Sequence, residues 1–177
     1  MIRTLALIVI AAGLTAGCAT PARIEQMAVG ATEIAAVTAS PALRENVAIK
    51  DVTGGKETNP MLLSNVNSPD FERALEASLR AAGMLAPRQS GRFQLLAHIE
   101  QLDQPWAGID LTVTAHVKYT LVERSTGKDA FNKTITTPYT AKFSDSYLAV
   151  ERLKLANEGA MRQNIRQLLI ELNQAVR

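Results

Sequence analysis

Residues 109–123, IDLTVTAHVKYTLVE, decide the fold because they alternate apolar and polar side chains along almost their whole length. Side chains on a β-strand point to opposite faces in turn, so this period of two predicts a long antiparallel strand with one buried and one solvated face. The residues that follow, Ser125-Thr126-Gly127-Lys128, predict a hairpin turn into a strand over 129–137. Pro138 has no N–H to donate, which places that strand at a sheet edge or ends it there.

The sequence before this hairpin predicts two more strands and a helix. Residues 93–100 alternate in the same way, and residues 46–52 predict a first strand. Between them, a helix is predicted to be capped by Ser68 and to stop at Gly83, because a hydroxyl favours the start of a helix and glycine favours its end. The strand over 93–100 turns back through residues 104–108.

The C-terminal sequence predicts a long helix. Apolar residues between 161 and 176 recur at helical spacing, and Ser144 or Asp145 can cap the start of that helix. The resulting order β-α-β-β-β-α predicts an α+β fold, with two helices packed on one face of a small antiparallel sheet.

The N-terminal residues 1–17 have the layout of an export signal. One positive charge at Arg3 precedes a short apolar run and then small residues. The apolar run is too short to cross a bilayer as a mature helix, which needs about 20 residues. The sequence thus predicts a signal peptide over 1–17, a tether over 18–46 and a single exported α+β domain over 47–177.

The end of the signal segment, Leu14-Thr15-Ala16-Gly17-Cys18, resembles a bacterial lipobox, with Thr15 where leucine is commoner. This resemblance implies cleavage before Cys18 and a lipid anchor on its thiol. Ala19 follows, where an aspartate would imply retention at the inner membrane. The resemblance therefore implies a lipid anchor in the outer membrane, on its periplasmic face. The other interpretation of Cys18 is an ordinary residue beside a conventional cleavage site.

Composition limits the remaining possibilities. Cys18 is the only cysteine, so an intramolecular disulfide is excluded. The net charge of +2 falls to about +1 once Arg3 is removed, and no basic cluster is present. The sequence therefore predicts no nucleic-acid partner.

Residues for catalysis are sparse. His98 and His116 are the only histidines, both fall on polar faces of predicted strands, and they form no metal-binding motif. Gly54-Gly55-Lys56 lacks the spacing of a phosphate-binding loop, and no Gly-x-Ser-x-Gly nucleophile motif is present. We therefore expect a protein that is not an enzyme and has no cofactor or metal. A Ser-His-Asp site assembled from distant residues stays open as an alternative.

Two loops offer a candidate partner-binding surface. Met61, Leu62 and Leu63 interrupt a long polar loop, and Trp106, the only tryptophan, lies in the turn over 104–108. Tryptophan is enriched at binding hot spots. The alternative is that these side chains fold back over the sheet edge as a minor core. The same two interpretations apply to three aromatic residues near the start of the last helix, namely Tyr139, Phe143 and Tyr147.

The outline of the chain resembles small envelope lipoproteins, namely the lipopolysaccharide-assembly lipoprotein type and the YajG-like lipoproteins. The similarity lies in the lipidated tail, the strand and helix order, and local sequences such as Phe71-Glu72-Arg73-Ala74-Leu75 and Asn157-Glu158-Gly159-Ala160. It implies a noncatalytic outer-membrane lipoprotein that binds an envelope protein, lipid or glycan as a binding or assembly factor. The alternative function is a periplasmic hydrolase or transferase of unrecognised type.

Overall fold

The computed structural model describes residues 19–34, 39–61, 63–86 and 90–176. Cys18, predicted to carry lipid, and Leu62, predicted to contact a partner, lie outside the described residues. The helices and strands are α1 Ile24–Met27, α2 Ala31–Ile34, β1 Val47–Thr53, α3 Ser68–Ala81, β2 Phe93–Asp103, β3 Leu111–Glu123, β4 Asp129–Ala141 and α4 Ala149–Ala175. The α+β class and the β-α-β-β-β-α order from β1 onward are confirmed.

The four strands form one sheet in the order β1-β2-β3-β4. β2, β3 and β4 form an antiparallel meander, whereas β1 pairs with β2 in parallel, with Val47 opposite Phe93 and Thr53 opposite His98. The prediction of a wholly antiparallel sheet is thus corrected at β1. The physical reason is the connection: α3 carries the chain back along the sheet before β2 begins, which is how parallel neighbours are joined.

The central strand β3 has the predicted alternation. Every second side chain from Leu111 to Leu121 is buried, and the buried Tyr119 hydroxyl donates a 2.9 Å hydrogen bond to Asn164 Oδ1 of α4. Burial raises the pKa of Tyr119 well above its ordinary value. Pro138 lies in β4, which has a neighbour on one side only, as its missing N–H predicted.

Both long helices cover the same face of the sheet. α4 packs on β3 and β4, and α3 packs beside β1, against the buried residues of the strands. The opposite face carries exposed polar side chains such as His98 and Lys118. The predicted two-helix layer on one face is confirmed.

Both long helices start differently from the prediction, α3 in its capping residue and α4 in its first residue. Asn67, not Ser68, caps α3, since its Oδ1 accepts from the Asp70 N–H at 2.8 Å. α4 begins at Ala149 rather than near Asp145, because the Asp145 carboxylate accepts from the Lys142 N–H at 2.8 Å and caps a separate 3₁₀ turn. Gly83, with a φ of +68°, follows α3 as predicted.

The segment before β1, predicted as a tether, packs against the sheet and helices over its described residues. Met27, Val29, Ile34 and Leu43 are buried in the same core as the strands. Helices as short as α1 and α2 are not stable alone in water, so tertiary packing must supply their stability. A helix of this kind leaves only a weak pattern in the sequence, which is why this segment was predicted as a tether. Among the described residues, no helix is both long and apolar enough to cross a membrane.

Candidate functional site

The strand directions bring three loops to one end of the sheet. β1 and β2 run in the same direction, and β3 begins where β2 ends. Residues 54–67, 104–110 and 142–148 therefore leave the sheet at one end, which we call the loop end. Residues 82–86, 90–92 and 124–128 lie at the other end, which we call the turn end.

The large apolar side chains that are exposed among the described residues all lie at the loop end. Trp106 is 98% exposed and Met61 is 91% exposed, so these two side chains do not fold back as a minor core. Leu63 is 41% exposed and therefore half-covered. The complete set is Met61, Leu63, Trp106, Ile109, Phe143, Tyr147 and Leu148. The structure thus brings together the described members of the predicted surface, although their role as a binding site stays a prediction.

Sequence reasoning missed two members of this surface. Ile109 was predicted as the first buried residue of β3, but the strand begins at Leu111 and Ile109 lies in the loop, largely exposed. Leu148 precedes α4 and was not singled out. The available signal was the short apolar pair Tyr147-Leu148, which stands apart from the helical stripe of α4.

A buried polar junction holds two of the loops against α4. The Ser64 carbonyl accepts from Asn157 Nδ2 and from Gln104 Nε2, both at 2.9 Å, and Gln104 Nε2 also donates to Asn157 Oδ1 at 2.9 Å. The Ser64 hydroxyl donates to the Thr20 carbonyl at 2.8 Å. Ser64 and Asn157 are both fully buried. The loops over 54–67 and 104–110 therefore have a fixed attachment to the helix and to the N-terminal segment.

The third loop is attached to the second. The Phe143 N–H donates to Asp110 Oδ1 at 2.9 Å, and the Phe143 ring meets the Tyr147 ring edge-on at 5.3 Å between centroids. The Arg152 guanidinium lies 5.1 Å from the Phe143 ring centroid and donates to the Ser146 carbonyl at 2.7 Å. Because all three loops are cross-linked in this way, the exposed apolar side chains sit on a common support.

The described chain begins at the loop end. The Ala19 N–H donates to the Pro60 carbonyl at 2.9 Å, and Lys154 Nζ donates to Thr20 Oγ1 at 3.1 Å. Ala19 is itself buried. Cys18 is therefore one peptide bond from a residue that is packed against the loop carrying Met61.

An ion pair fixes the next residues of this segment. Glu158 on α4 is buried, and its two carboxylate oxygens accept from Arg23 Nε at 2.9 Å and Nη2 at 3.0 Å, as well as from the Arg23 backbone N–H at 2.8 Å. Hydrogen bonds to Glu158 raise the pKa of the Arg23 guanidinium. This paired geometry is the strong form of a charged hydrogen bond, and it clamps the N-terminal segment to α4.

Both histidines lie on the open face of the sheet. His98 Nδ1 is 2.8 Å from Thr53 Oγ1. His116 Nε2 is 2.9 Å from Asp103 Oδ2, and its Nδ1 is 3.0 Å from Thr136 Oγ1. This hydroxyl–imidazole–carboxylate row has the order of a hydrolase triad, but half of the Asp103 side chain is exposed and the row lies outside the helix-covered core.

Comparison with known proteins identifies the fold. No protein-family model matches the sequence, and no curated protein matches it. The chain superposes on protein XCC0632 from Xanthomonas campestris, described under the DUF330 family model, with a TM-score of 0.55 and 15% identity over 78% of this chain and 91% of that one. It also superposes on protein CT253 from Chlamydia trachomatis, with a TM-score of 0.54 and 11% identity over 75% of this chain and 97% of that one.

A third similar structure is a minor lipoprotein from Acinetobacter baumannii, with a TM-score of 0.48 and 10% identity over 74% of this chain and 94% of that one. At identities this low, the superpositions on XCC0632 and CT253 show likeness of fold alone. They carry no activity, ligand or partner from these proteins to this chain.

Proposed function

We propose that this protein is a noncatalytic lipoprotein, anchored through lipid on Cys18 to the periplasmic face of the outer membrane. There it acts as a binding or assembly factor of the cell envelope. In this proposal the protein resembles the lipopolysaccharide-assembly and YajG-like lipoproteins, and its partner is an envelope protein, lipid or glycan.

The observation that carries the proposal is that the folded part of the chain begins directly after Cys18. A lipobox-like sequence ends at Cys18, and Ala19 is already packed against Pro60. Cleavage before Cys18 would remove residues 1–17 and leave the described fold whole. Ala19 in place of aspartate favours the outer membrane over the inner one.

The loop end supports binding as the activity. Its exposed side chains are apolar and aromatic, whereas the catalytic candidates form one partly exposed row on the open sheet face. Large apolar surfaces are rare on monomeric soluble proteins and mark contact sites when they occur. A surface of this chemistry favours contact with another apolar surface over bond-breaking chemistry.

The test is the intact mass and membrane fractionation of the protein expressed in its host. We expect the mature wild-type chain to begin at Cys18, to carry the added mass of acyl chains and to sediment with outer membrane. A Cys18→Ala variant should lack both the added mass and the membrane association.

A Glu25→Ala variant is the matched control, because Glu25 is exposed on α1 and follows the same signal segment. It should behave as the wild type does. An unmodified wild-type chain, soluble in the periplasm, would refute the anchor, and a wild-type chain in the inner-membrane fraction would refute the outer-membrane placement.

A further inference from the structure

The attachment point and the exposed apolar side chains lie at the same end of the molecule. Ala19 hydrogen-bonds to Pro60, whose neighbour in sequence is the exposed Met61. Successive Cα atoms are about 3.8 Å apart, so the Cα atom of Cys18 is that distance from the Cα atom of Ala19, the residue bonded to this loop. Acyl chains on Cys18 would therefore enter a bilayer next to the loop end.

The chain after Cys18 leaves no free length between lipid and fold. Ala19 and Ala22 are buried, Thr20 bonds to Ser64 and Lys154, and Arg23 is clamped to Glu158. A long polar linker would let the domain stand away from the membrane and rotate. Here the packed segment holds the loop end close to the membrane surface.

The side chains at this end suit the interfacial layer of a bilayer. Trp106 and Tyr147 are the most exposed aromatic residues of the described chain, and both residue types concentrate where headgroups meet acyl chains. Met61, Ile109 and Leu148 add aliphatic side chains around them. This composition matches surfaces that bury an apolar face about 5–10 Å into the headgroup boundary.

Charge argues for an apolar contact with lipid. The three loops contain two lysines, Lys56 and Lys142, against three acidic residues, Glu57, Asp110 and Asp145. Arg152 and Lys154 reach this end from α4 but are buried, and Lys154 is paired with Glu151. The three loops thus carry no basic cluster that would draw them to anionic headgroups, so insertion of apolar side chains must supply the contact. Binding should accordingly depend little on anionic lipid.

We propose that the loop end is a membrane-docking surface: Met61, Trp106, Ile109, Tyr147 and Leu148 insert into the bilayer surface around the lipid on Cys18. This proposal rests on the lipid anchor of the proposed function. The acyl chains on Cys18 would hold the protein at the membrane, and the apolar side chains would fix the orientation of the domain on it. The turn end and the open face of the sheet then point into the periplasm.

The test uses Trp106 as its own probe, because it is the only tryptophan in the chain. The full-length protein, matured and lipidated in its host, is reconstituted into phosphatidylcholine vesicles, with or without bromine atoms high on the acyl chains. Vesicle flotation reports the anchor. Quenching of tryptophan emission by brominated lipid reports insertion, and quenching by dissolved acrylamide reports contact with water.

The matched control is the double variant Trp106→Phe, Thr126→Trp. Thr126 is exposed at the turn end, so this variant carries its only tryptophan far from the proposed surface. We expect brominated lipid to remove most of the Trp106 emission and to leave the control unchanged. Acrylamide should quench the control and spare Trp106. Adding anionic lipid should change neither result.

Each other outcome overturns a named part of the argument. If the protein floats with vesicles but Trp106 is quenched by acrylamide alone, the anchor stands and the docking surface is wrong. If Trp106 is shielded from both quenchers, a second copy or a partner protein covers the loop end and lipid does not. If wild type carries no lipid and does not float, both the docking surface and the proposed function fail.

Discussion

The two ends of the sheet are made from loops of one small domain, yet their surfaces differ in kind. At the turn end, Arg92 Nη2 lies 2.7 Å from Glu123 Oε1, the Thr126 hydroxyl donates to Glu123 Oε2 at 3.0 Å, and Arg124 Nε donates to the Gly91 carbonyl at 3.1 Å. At the loop end, Trp106 and Met61 extend almost fully from the surface. Polar groups satisfy one another at the first end, and apolar groups are left uncovered at the second.

This difference separates the residues that the fold needs from residues that it does not need. Connections at both ends have only to reverse the chain, and polar residues with glycine suffice for that at the turn end. The exposed apolar residues of the loop end add nothing to the core, since they lie outside it. Among the described residues, the large exposed apolar side chains all lie at the end where the N-terminal segment attaches, which is why we propose a contact surface there.

The largest expected effect comes from breaking the junction that holds the loop end together. Asn157→Leu removes the bonds from Asn157 Nδ2 to the Ser64 carbonyl and from Gln104 Nε2 to Asn157 Oδ1 in a buried place. We expect a loss of about 1–3 kcal/mol in the free energy of unfolding, measured by urea denaturation. Proteolysis within 54–67 and 104–110 should accelerate more than proteolysis at the turn end, because local attachment is lost there first.

Gln163→Leu is the control for this variant. Gln163 is exposed on the same helix, and its substitution likewise replaces an amide side chain by leucine. Its stability should stay within about 0.5 kcal/mol of wild type. Equal losses in the two variants would show that the junction does not hold the loops.

A smaller effect is expected where α4 meets β4. A Cβ atom at Gly159 would lie 2.3 Å from the Tyr139 ring, so Gly159→Ala forces the ring or the helix to move. Overpacking costs about 1–3 kcal/mol, and alanine returns about 1 kcal/mol of helix propensity, so the net change should destabilise by about 1 kcal/mol in urea denaturation.

The sign of this effect should reverse when the ring is removed. In a Tyr139→Ala background, Gly159→Ala gains its helix propensity without the clash and should stabilise the protein. A double-mutant cycle of the four proteins measures the coupling. If Gly159→Ala destabilises equally in both backgrounds, contact with Tyr139 is not the reason for the glycine.

The sequence predicted the parts of the fold that repeat a local pattern. The alternation that ends at Leu121 gave β3 its buried face, and Pro138 placed β4 at an edge, because each of these signals lies in one element. The parallel pairing of β1 could not be predicted in this way, since it depends on the path of the chain through α3. The packing of the N-terminal segment depends on Arg23 meeting Glu158, residues 135 positions apart.

The candidate site shows the same limit. Trp106 and Met61 were recognisable as apolar residues in polar loops, and the structure exposes both. Sequence could not show that Tyr147 and Leu148 join them, because three separate loops meet only after the strand directions are set. Ile109 was assigned to the strand because it continues the alternation by one step, and periodicity does not mark where pairing stops.

The smallest expected effect lies at the turn end and depends on pH. A hydrogen bond from Arg92, with a second from Thr126, holds the pKa of Glu123 below its usual range. A carboxylate with a lowered folded pKa stabilises the protein above its unfolded pKa, about 4.3, and loses that contribution as pH falls through the folded value. Glu123→Gln should therefore lower Tm slightly at neutral pH, and its Tm should converge with that of wild type in acid, as scanning calorimetry across this range would detect.

Salt and a second pair of substitutions are the controls for this prediction. Exposed pairs contribute little and are screened by salt, so the Tm difference should shrink in concentrated salt and vanish in an Arg92→Gln, Thr126→Ala background. A Tm difference that persisted in acid would mean that Glu123 stabilises the turn end by packing and not by its charge. The two ends would then no longer differ in the way proposed, with paired charges at one and exposed apolar side chains at the other.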